Sequence, residues 1–204
     1  MKKNITCFCG NNILIDYEEE VDLDQKPEDL TDILNGKFMS YKCSYCEKNN
    51  KPEYPITIVW KSKNFKMRVL PELDRGEFYR NKKENYQFET IIGYPEMADR
   101  LAVINDGLEP VVIETLKSFL LDKAAENYPN KDINAWYHSN SPGGIEFHLD
   151  GIRYGEVAVM RIPQELYDKF LKDYKKNPKS GIFPQLRVRS YLSVQNLLRP
   201  DALK

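Results

Sequence analysis

The segments "ITCFCG" (residues 5–10) and "YKCSYCEKNN" (residues 41–50) contain all four cysteines of the 204-residue chain, in two tight pairs. Each short turn can direct two thiolates toward one ion, and four thiolates fill the tetrahedral shell that zinc prefers. A filled shell leaves no position for water, so the pattern predicts a structural zinc site and not a catalytic one. The predicted ligands are Cys7, Cys9, Cys43 and Cys46.

The same four cysteines have other interpretations. Iron accepts the same set of thiolates, although zinc is the commoner occupant. Disulfides are a second alternative, but a bridge within Cys7-Phe8-Cys9 would be strained, and a longer one would need an oxidising compartment. Four unrelated free thiols are a third.

Residues next to the cysteines bear on the charge and access of the predicted site. Four thiolates on a divalent ion carry a net charge of about −2, which we expect Lys42 and Lys48 to offset. Phe8 and Tyr45 lie inside the two turns, and we expect their rings to shield the sulfur atoms from water and oxidants.

Composition predicts an ordinary globular protein, with 30 basic and 31 acidic residues. Such a balance excludes a strong overall field for nucleic acid or anionic lipid. No apolar run reaches the roughly 18 residues of a membrane span, and the first residues lack the apolar segment of a signal peptide. We therefore expect no membrane association and a cytoplasmic location, where thiols stay reduced. Residues 16–32, with nine acidic side chains against one lysine, form either a solvated face or a surface for a basic partner.

Hydrophobic periodicity predicts an α+β fold. An N-terminal β part, about residues 1–60, is expected to pack with helices and to be followed by an antiparallel β meander with helices. Residues 1–128 are expected to form one domain, and residues 129–204 either a region of their own or part of the same core. Predicted helices cover residues 27–34, 95–105, 110–126 and 163–176, and predicted strands cover residues 55–60, 65–70, 135–138, 145–149 and 152–160. Residues 74–87 are expected to be a polar connection.

Four segments, in their order along the chain, resemble the CpXC family, a prokaryotic group named for two cysteine motifs. They are "ITCFCG", "KPEDLTDILNGKFMSYKCSYC", "RVLPE" and "MADRLAVINDGLEPVVIETLKSFLLDKA", and the likeness spans about residues 3–128. The resemblance implies a zinc-ribbon-like N-terminal part and the ligand role of the four cysteines. It implies no catalytic residue and no particular activity.

The chain departs from the family pattern, Cys-Pro-x-Cys followed by Gly, in both pairs. The first pair lacks the proline and one residue but keeps Gly10. The second has Ser44, and Glu47 occupies the position of the glycine. A turn of this kind needs a residue with positive φ, and we expect Asn49 or Asn50 to supply it.

The chain contains no H-E-x-x-H, G-x-S-x-G, Walker-type phosphate-loop or G-x-G-x-x-G motif. The two histidines, His138 and His148, lie on neighbouring predicted strands near Glu146 and Asp150. Without a third ligand they are expected to pack across strands, and a carboxylate pair is the alternative. Acidic residues near helix ends, Asp99 among them, are expected to interact with the helix dipole. An enzyme is thus less favoured than a binding or scaffold module with an unknown protein partner.

Nucleic-acid binding is the alternative function, because zinc ribbons often bind nucleic acid. The candidate residues are basic and lie in the C-terminal third: Lys172, Lys175, Lys176, Arg187 and Arg189. A basic helix of this kind can follow a phosphate backbone. The acidic stretch near the cysteines opposes such an interaction at the predicted metal site.

Overall fold

The computed structural model describes residues 2–81 and 87–198. It confirms the α+β class, and the described residues form helices and strands of mixed pairing. The helices are α1 (Pro27–Leu34), α2 (Arg75–Arg80), α3 (Tyr94–Asn105), α4 (Pro110–Asn127), α5 (Gln164–Lys176) and α6 (Gln195–Leu198). The strands are β1 (Lys2–Thr6), β2 (Asn12–Asp16), β3 (Glu20–Asp22), β4 (Tyr41–Lys42), β5 (Asn49–Asn50), β6 (Ile56–Trp60), β7 (Phe65–Leu70), β8 (Glu89–Ile92), β9 (Asn134–Ser141), β10 (Gly144–Asp150), β11 (Ala158–Ile162), β12 (Arg187–Val188) and β13 (Tyr191–Leu192).

The chain divides into two compact units, Met1–Ala98 and Asp99–Lys204. In the first unit, β1 pairs with β2 and β4 pairs with β5 in two short antiparallel hairpins. Four further strands run in the order β8-β7-β6-β3, with β6 antiparallel to β7 and the outer pairs parallel. The predicted β6–β7 hairpin is confirmed, and Asn64 makes its turn with a φ of 48°.

The second unit contains the predicted meander. Strand β10 pairs antiparallel with both β9 and β11. The meander's inward side chains and α4 share one core, in which Phe147, Ile145 and Leu116 are fully buried. α4 is buried around much of its circumference, although Phe119, which its apolar stripe assigns to the core, is 40% exposed. The third strand begins at Ala158, six residues later than predicted.

Residues 74–87 are not simply a polar connection, because α2 lies within them. Phe78 and Tyr79 of α2 are buried, and Arg75 beside them donates to Glu72 at 2.5 Å and to Glu96 at 2.7 Å. The two carboxylates allow the guanidinium to be buried. The short apolar pair in a charged segment was the only local signal of this helix, and residues 82–86 lie outside the described part of the chain.

Charged side chains in the second unit form a buried network. Lys117 Nζ lies 2.5 Å from Asp99 Oδ2 and 2.8 Å from Glu114 Oε1. A second cation, Arg100, lies 3.4 Å from Glu114 Oε1 and donates to the Leu192 carbonyl at 2.9 Å. All four charged side chains are at most 5% exposed. The interpretation of Asp99 as a helix-dipole residue is therefore wrong, because it binds Lys117 in the core.

No helix within residues 2–81 and 87–198 has both the length and the apolar character needed to cross a membrane.

Candidate metal centre

Two hairpin turns carry the four cysteines. The first turn joins β1 to β2, where the Cys7 N–H donates to the Asn11 carbonyl and the Gly10 N–H donates to the Cys7 carbonyl, both at 2.8 Å. The φ of Gly10 is +86°, which glycine adopts without steric cost. The turn is therefore closed by backbone hydrogen bonds, which fix the positions from which its two cysteine side chains extend.

The second turn joins β4 to β5 with a similar set of bonds. Cys43 N–H donates to the Lys48 carbonyl, and Glu47 N–H donates to the Cys43 carbonyl, both at 3.0 Å. The residue with positive φ is Glu47 itself, at 59°. The expectation that Asn49 or Asn50 would take this position is wrong, because both residues belong to β5.

The hairpins bring all four thiols together. Each Sγ atom lies within 4.8 Å of the other three. The Cys7 and Cys46 sulfurs are 3.5 Å apart, and the Cys9 and Cys43 sulfurs are 3.8 Å apart. Four sulfurs bound to zinc at about 2.3 Å lie about 3.8 Å from one another in a tetrahedron. The arrangement fits a single metal ion, whereas both separations exceed the roughly 2.05 Å of a disulfide bond.

Burial is uneven across the cluster. Cys43 and Cys7 are 0% and 3% exposed, whereas Cys46 is half-buried and Cys9 is exposed. The buried pair anchors the cluster to the protein, and the exposed side gives an ion a path of entry.

Backbone amides of the turns favour thiolates. The pKa of Cys9 is lowered to about 6, most by a hydrogen bond from the Asn11 backbone and next by one from the Asn11 side chain at 3.4 Å. The Cys9 backbone hydrogen bond lowers the pKa of Cys7. Cys46 behaves differently: a Lys48 backbone hydrogen bond lowers its pKa, but burial and the neighbouring sulfurs outweigh that bond and raise it to about 12. Without an ion, the cluster therefore cannot hold four negative charges easily.

Two asparagines in the turns, Asn11 and Asn50, make side-chain contacts that the sequence analysis did not predict. The Asn11 amide contacts Cys9 Sγ, and Asn50, only 6% exposed, donates to the carbonyls of Lys48 and Tyr41 at 3.2 and 3.4 Å. The signal was their position, directly after one pair and within the strand that closes the other. The side-chain NH2 group of asparagine carries two N–H donors, so it can donate to two acceptors in a turn at once.

The expected shielding of the sulfurs by aromatic rings is wrong. Phe8 is 84% exposed and Tyr45 is 72% exposed, so both rings extend from the turns into solvent. Lys42 lies 3.8 Å from Glu47, and this pair is exposed. Of the two lysines that were expected to offset the thiolate charge, Lys42 is thus paired with a carboxylate at the surface.

The acidic stretch at residues 16–32 is tied to neighbouring elements of the first unit. Lys61 Nζ lies 2.7 Å from Asp22, and the Ser62 N–H donates to Asp24 at 3.0 Å. Lys26 lies 2.5 Å from Glu18. Two of these acids, Asp22 and Asp24, thereby connect β3 and the residues after it to the β6–β7 turn. Their pairing inside the unit argues against a surface for a basic partner.

Other sequence-predicted residues lie in the second unit. Lys172, Lys175 and Lys176 are exposed on α5, Arg187 is exposed in β12, and Arg189 is half-buried with a φ of 55°. Their role in nucleic-acid binding stays a prediction. His138 and His148 stack across the strands with ring centroids 3.9 Å apart, as the cross-strand packing interpretation anticipates.

The fold and the site define an α+β protein with a four-cysteine cluster that could hold a metal ion. The family model described as "CpXC protein" matches residues 5–117, more than half of the chain, so the chain belongs to the CpXC family. It is also 27% identical over 214 residues to an uncharacterized protein from Treponema pallidum (strain Nichols), covering 95% of this chain and 97% of that protein. No solved structure matches the chain significantly.

Proposed function

We propose that this protein is a zinc-binding module in which one structural ion, held by Cys7, Cys9, Cys43 and Cys46, orders a zinc-ribbon-like part for contact with a partner protein. The observation that carries the proposal is the convergence of four sulfurs from two hairpins within 4.8 Å of one another. Zinc suits four thiolates because it has no preference for other geometries and does not change oxidation state. The proposal assigns the chain to a reducing compartment such as the cytoplasm, where the thiols stay available.

The proposed role of the ion is structural. Four protein ligands fill a tetrahedral zinc shell, so no position is left for a substrate or a reactive water molecule. Both hairpins are short, with β4 and β5 contributing two residues each. An isolated hairpin of that size has little stability of its own. An ion shared between the turns supplies the missing cross-link.

A contact role for the module is supported by two exposed aromatic side chains. Phe8 and Tyr45 each lie between the two cysteines of a pair, so binding of an ion would fix the backbone that carries both rings. Aromatic side chains are enriched at protein interfaces and supply much of their binding energy. Solvent exposure of two such rings on metal-fixed turns is the pattern expected of a surface that contacts protein.

The metal assignment is tested by elemental analysis of untagged protein grown with zinc and iron both present. We expect about one zinc per chain, and loss of most of it in Cys46→Ser. Ser44→Ala is the matched control, since it changes the same turn without removing a ligand. Iron in place of zinc, or full zinc content in Cys46→Ser, would contradict the assignment.

The contact role is tested by chemical cross-linking in the native cell with wild-type and Phe8→Ala/Tyr45→Ala chains. We expect specific cross-links to one protein partner that fall at least about fivefold in the double variant while zinc content stays the same. Tyr154→Ala removes an equally exposed aromatic ring elsewhere, 107% exposed in the turn before β11, and should change nothing. Equal cross-linking by all three chains would overturn the contact role without affecting the metal assignment.

Nucleic-acid binding is retained as the alternative because Lys172, Lys175 and Lys176 are exposed along the last turns of α5. Phosphate contacts would make binding weaken steeply with salt. Mixed DNA and RNA at low salt provide the test, with Lys172→Gln/Lys175→Gln/Lys176→Gln as the loss variant. An absence of any low-salt shift for the wild-type chain would exclude this alternative.

A further inference from the structure

A bulge in the meander of the second unit changes the direction of one histidine. Phe147 pairs with Tyr137, but the preceding residue, Glu146, pairs with Ser139, so His138 is an extra residue in β9. A bulge re-aims side chains locally, and bulges are over-represented beside functional sites. His138 is exposed on the solvent face of the meander.

On that face, two imidazoles converge on one carboxylate oxygen. The Nε2 atom of His148 lies 3.2 Å from Glu146 Oε1, and the Nε2 atom of His138 lies 3.8 Å from the same oxygen. Ligand atoms at about 2.0 to 2.1 Å from a tetrahedral ion lie about 3.3 Å apart. One ligand atom of each residue lies within 4.8 Å of the others, so a small rotation of the rings suffices to reach a shared ion.

The carboxylate is held in place from its other side. Arg161 on β11 donates from Nε to Glu146 Oε2 at 2.9 Å, which leaves Oε1 facing the imidazoles. Hydrogen bonds from Arg161 and then His148 lower the pKa of Glu146, so it is ionised at neutral pH. Charge-assisted bonds of this kind fix the orientation of a ligating carboxylate and are common around metal sites.

Exposure increases from the base of this cluster to its mouth. The side chain of Glu146 is 15% exposed, that of His148 is 30% exposed and that of His138 is 53% exposed. The floor is therefore ordered, while an ion and its remaining water ligands have access from solvent.

Cross-strand stacking alone explains the overlap of the rings, whose planes are 15° apart, but not their shared direction. The hydrogen bond between His148 and Glu146, and the approach of His138 Nε2 to the same oxygen, direct both rings toward one point. The Glu146 carboxylate carries a negative charge, which attracts a cation. Arg161 carries one positive charge beside this carboxylate, so we expect weaker binding than at the cysteine centre.

We propose that His138, Glu146 and His148 form a second metal site, which binds a divalent first-row transition-metal ion of the kind that imidazole favours, such as Zn²⁺. It shares no residue with the cysteine centre. Three protein ligands leave at least one coordination position for water, so the ion at this site exchanges with solvent, unlike one enclosed by four thiolates.

The test is a Zn²⁺ titration of untagged chain that already holds its tightly bound metal, followed by calorimetry and by NMR of the histidine rings. The chain has only two histidines, so both ring signals are assigned without ambiguity. We expect one additional equivalent to bind and both rings to shift together with it. If the cysteine centre held no metal, the total number of zinc equivalents per chain would differ. The shift of the two histidine ring signals on binding at this site would be the same.

Variants decide whether these residues bind the ion. His148→Ala and Glu146→Gln should each weaken the additional binding at least about tenfold. Glu156→Gln is the matched control, because it removes a carboxylate of the same unit. That carboxylate lies 3.5 Å from Arg153 and away from the histidines. If His148→Ala fails to fold, His138→Ala provides the same measurement at a more exposed position. No additional equivalent, unshifted ring signals, or unchanged binding in the variants would overturn the proposal.

Discussion

The two units each contain a polar cluster that joins segments distant in sequence, and the clusters are built in opposite ways. The cysteine cluster of the first unit consists of four groups that become negative on ionisation, and part of it is exposed. The network of the second unit contains two cations and two carboxylates, all buried. Four thiolates close together repel one another unless a cation binds between them, whereas the charges of the buried network cancel.

This difference shows why one cluster depends on its surroundings and the other does not. With the proposed ion, the first cluster would be stable only as far as metal supply and redox state permit. The second depends on the pairing of its own side chains, because a buried charge that loses its partner is costly. Each of the following predictions breaks or sharpens that contrast.

Removal of metal should have the largest effect. Ligation can contribute on the order of 10 kcal/mol in isolated zinc fingers, so Cys46→Ser or a strong chelator should expose the amides of β1, β2, β4 and β5 to hydrogen exchange. Protection in α4 should remain. Exchange measured by mass spectrometry resolves these segments, and an unchanged exchange rate in both hairpins would argue against a structural ion.

Lys117→Met should have the next largest effect. The substitution leaves Asp99 and Glu114 buried with one cation fewer, at a cost of about 3 to 5 kcal/mol in the free energy of unfolding. Urea unfolding followed through Trp136 fluorescence, in chains that carry Trp60→Phe so that the first unit does not contribute, measures the loss. Lys123→Met on the same helix is the control: its pair with Glu126 at 3.3 Å is exposed, so its loss should cost less than about 1 kcal/mol. Equal losses would mean that burial of the network has no energetic consequence.

Acid should weaken the second unit through Glu114. Burial raises the pKa of Glu114, but Lys117 and Arg100 outweigh it and hold the pKa below its usual value of 4.5. A depressed pKa contributes stability above about 4.5 that is lost as the pH falls toward the lower folded-state pKa. We expect the protection factors of the α4 amides, which correct for the pH dependence of intrinsic exchange, to fall below that pH, and Glu114→Gln to show a smaller fall between pH 7 and pH 3. A parallel decline in both chains would assign the acid effect to other groups.

Glu47→Gly should have a small, stabilising effect. A residue with a side chain is destabilised by roughly 1 to 2 kcal/mol in the left-handed region. Glycine avoids this strain, but its larger loss of backbone entropy on folding cancels about half of the gain. Because hairpin folding and ion binding are coupled, competition with a chelator should show zinc affinity rising a few-fold. Glu47→Ala keeps the Cβ atom and, like Glu47→Gly, loses the ion pair with Lys42, so its zinc affinity should not rise. A decrease in affinity for Glu47→Gly would mean that its carboxylate has another role.

Much of the local structure could be predicted because its causes lie close together in the chain. Pro110 at the start of α4 and the apolar period after it locate the helix within a residue of its observed end. Asp150-Gly151 ends β10, and the φ of Gly151 is +88°. The α2 helix was missed because its two apolar residues make too short a pattern, and its stability depends on ion pairs with residues outside it.

The candidate site was predicted in part for the same reason. Cysteine spacing sets which sulfurs a turn can direct to one point, so the ligand set follows from the sequence. The direction of Phe8 and Tyr45 does not, because it depends on which side of each hairpin meets the rest of the unit. The bulge at His138 is likewise invisible in sequence, since it exists only in the register between β9 and β10.

By itself, the sequence determined the α+β pattern, the two cysteine turns and the chemistry that their thiols can perform, because periodicity and turn geometry are properties of neighbouring residues. Only the tertiary structure decided which charges are buried and what pairs with them. Asp99 contacts Lys117, which lies 18 positions away in the sequence. Glu114 accepts a hydrogen bond from the Val194 N–H, which lies 80 positions away. Such contacts arise from packing of whole elements, and no short stretch of sequence records where the other element will lie.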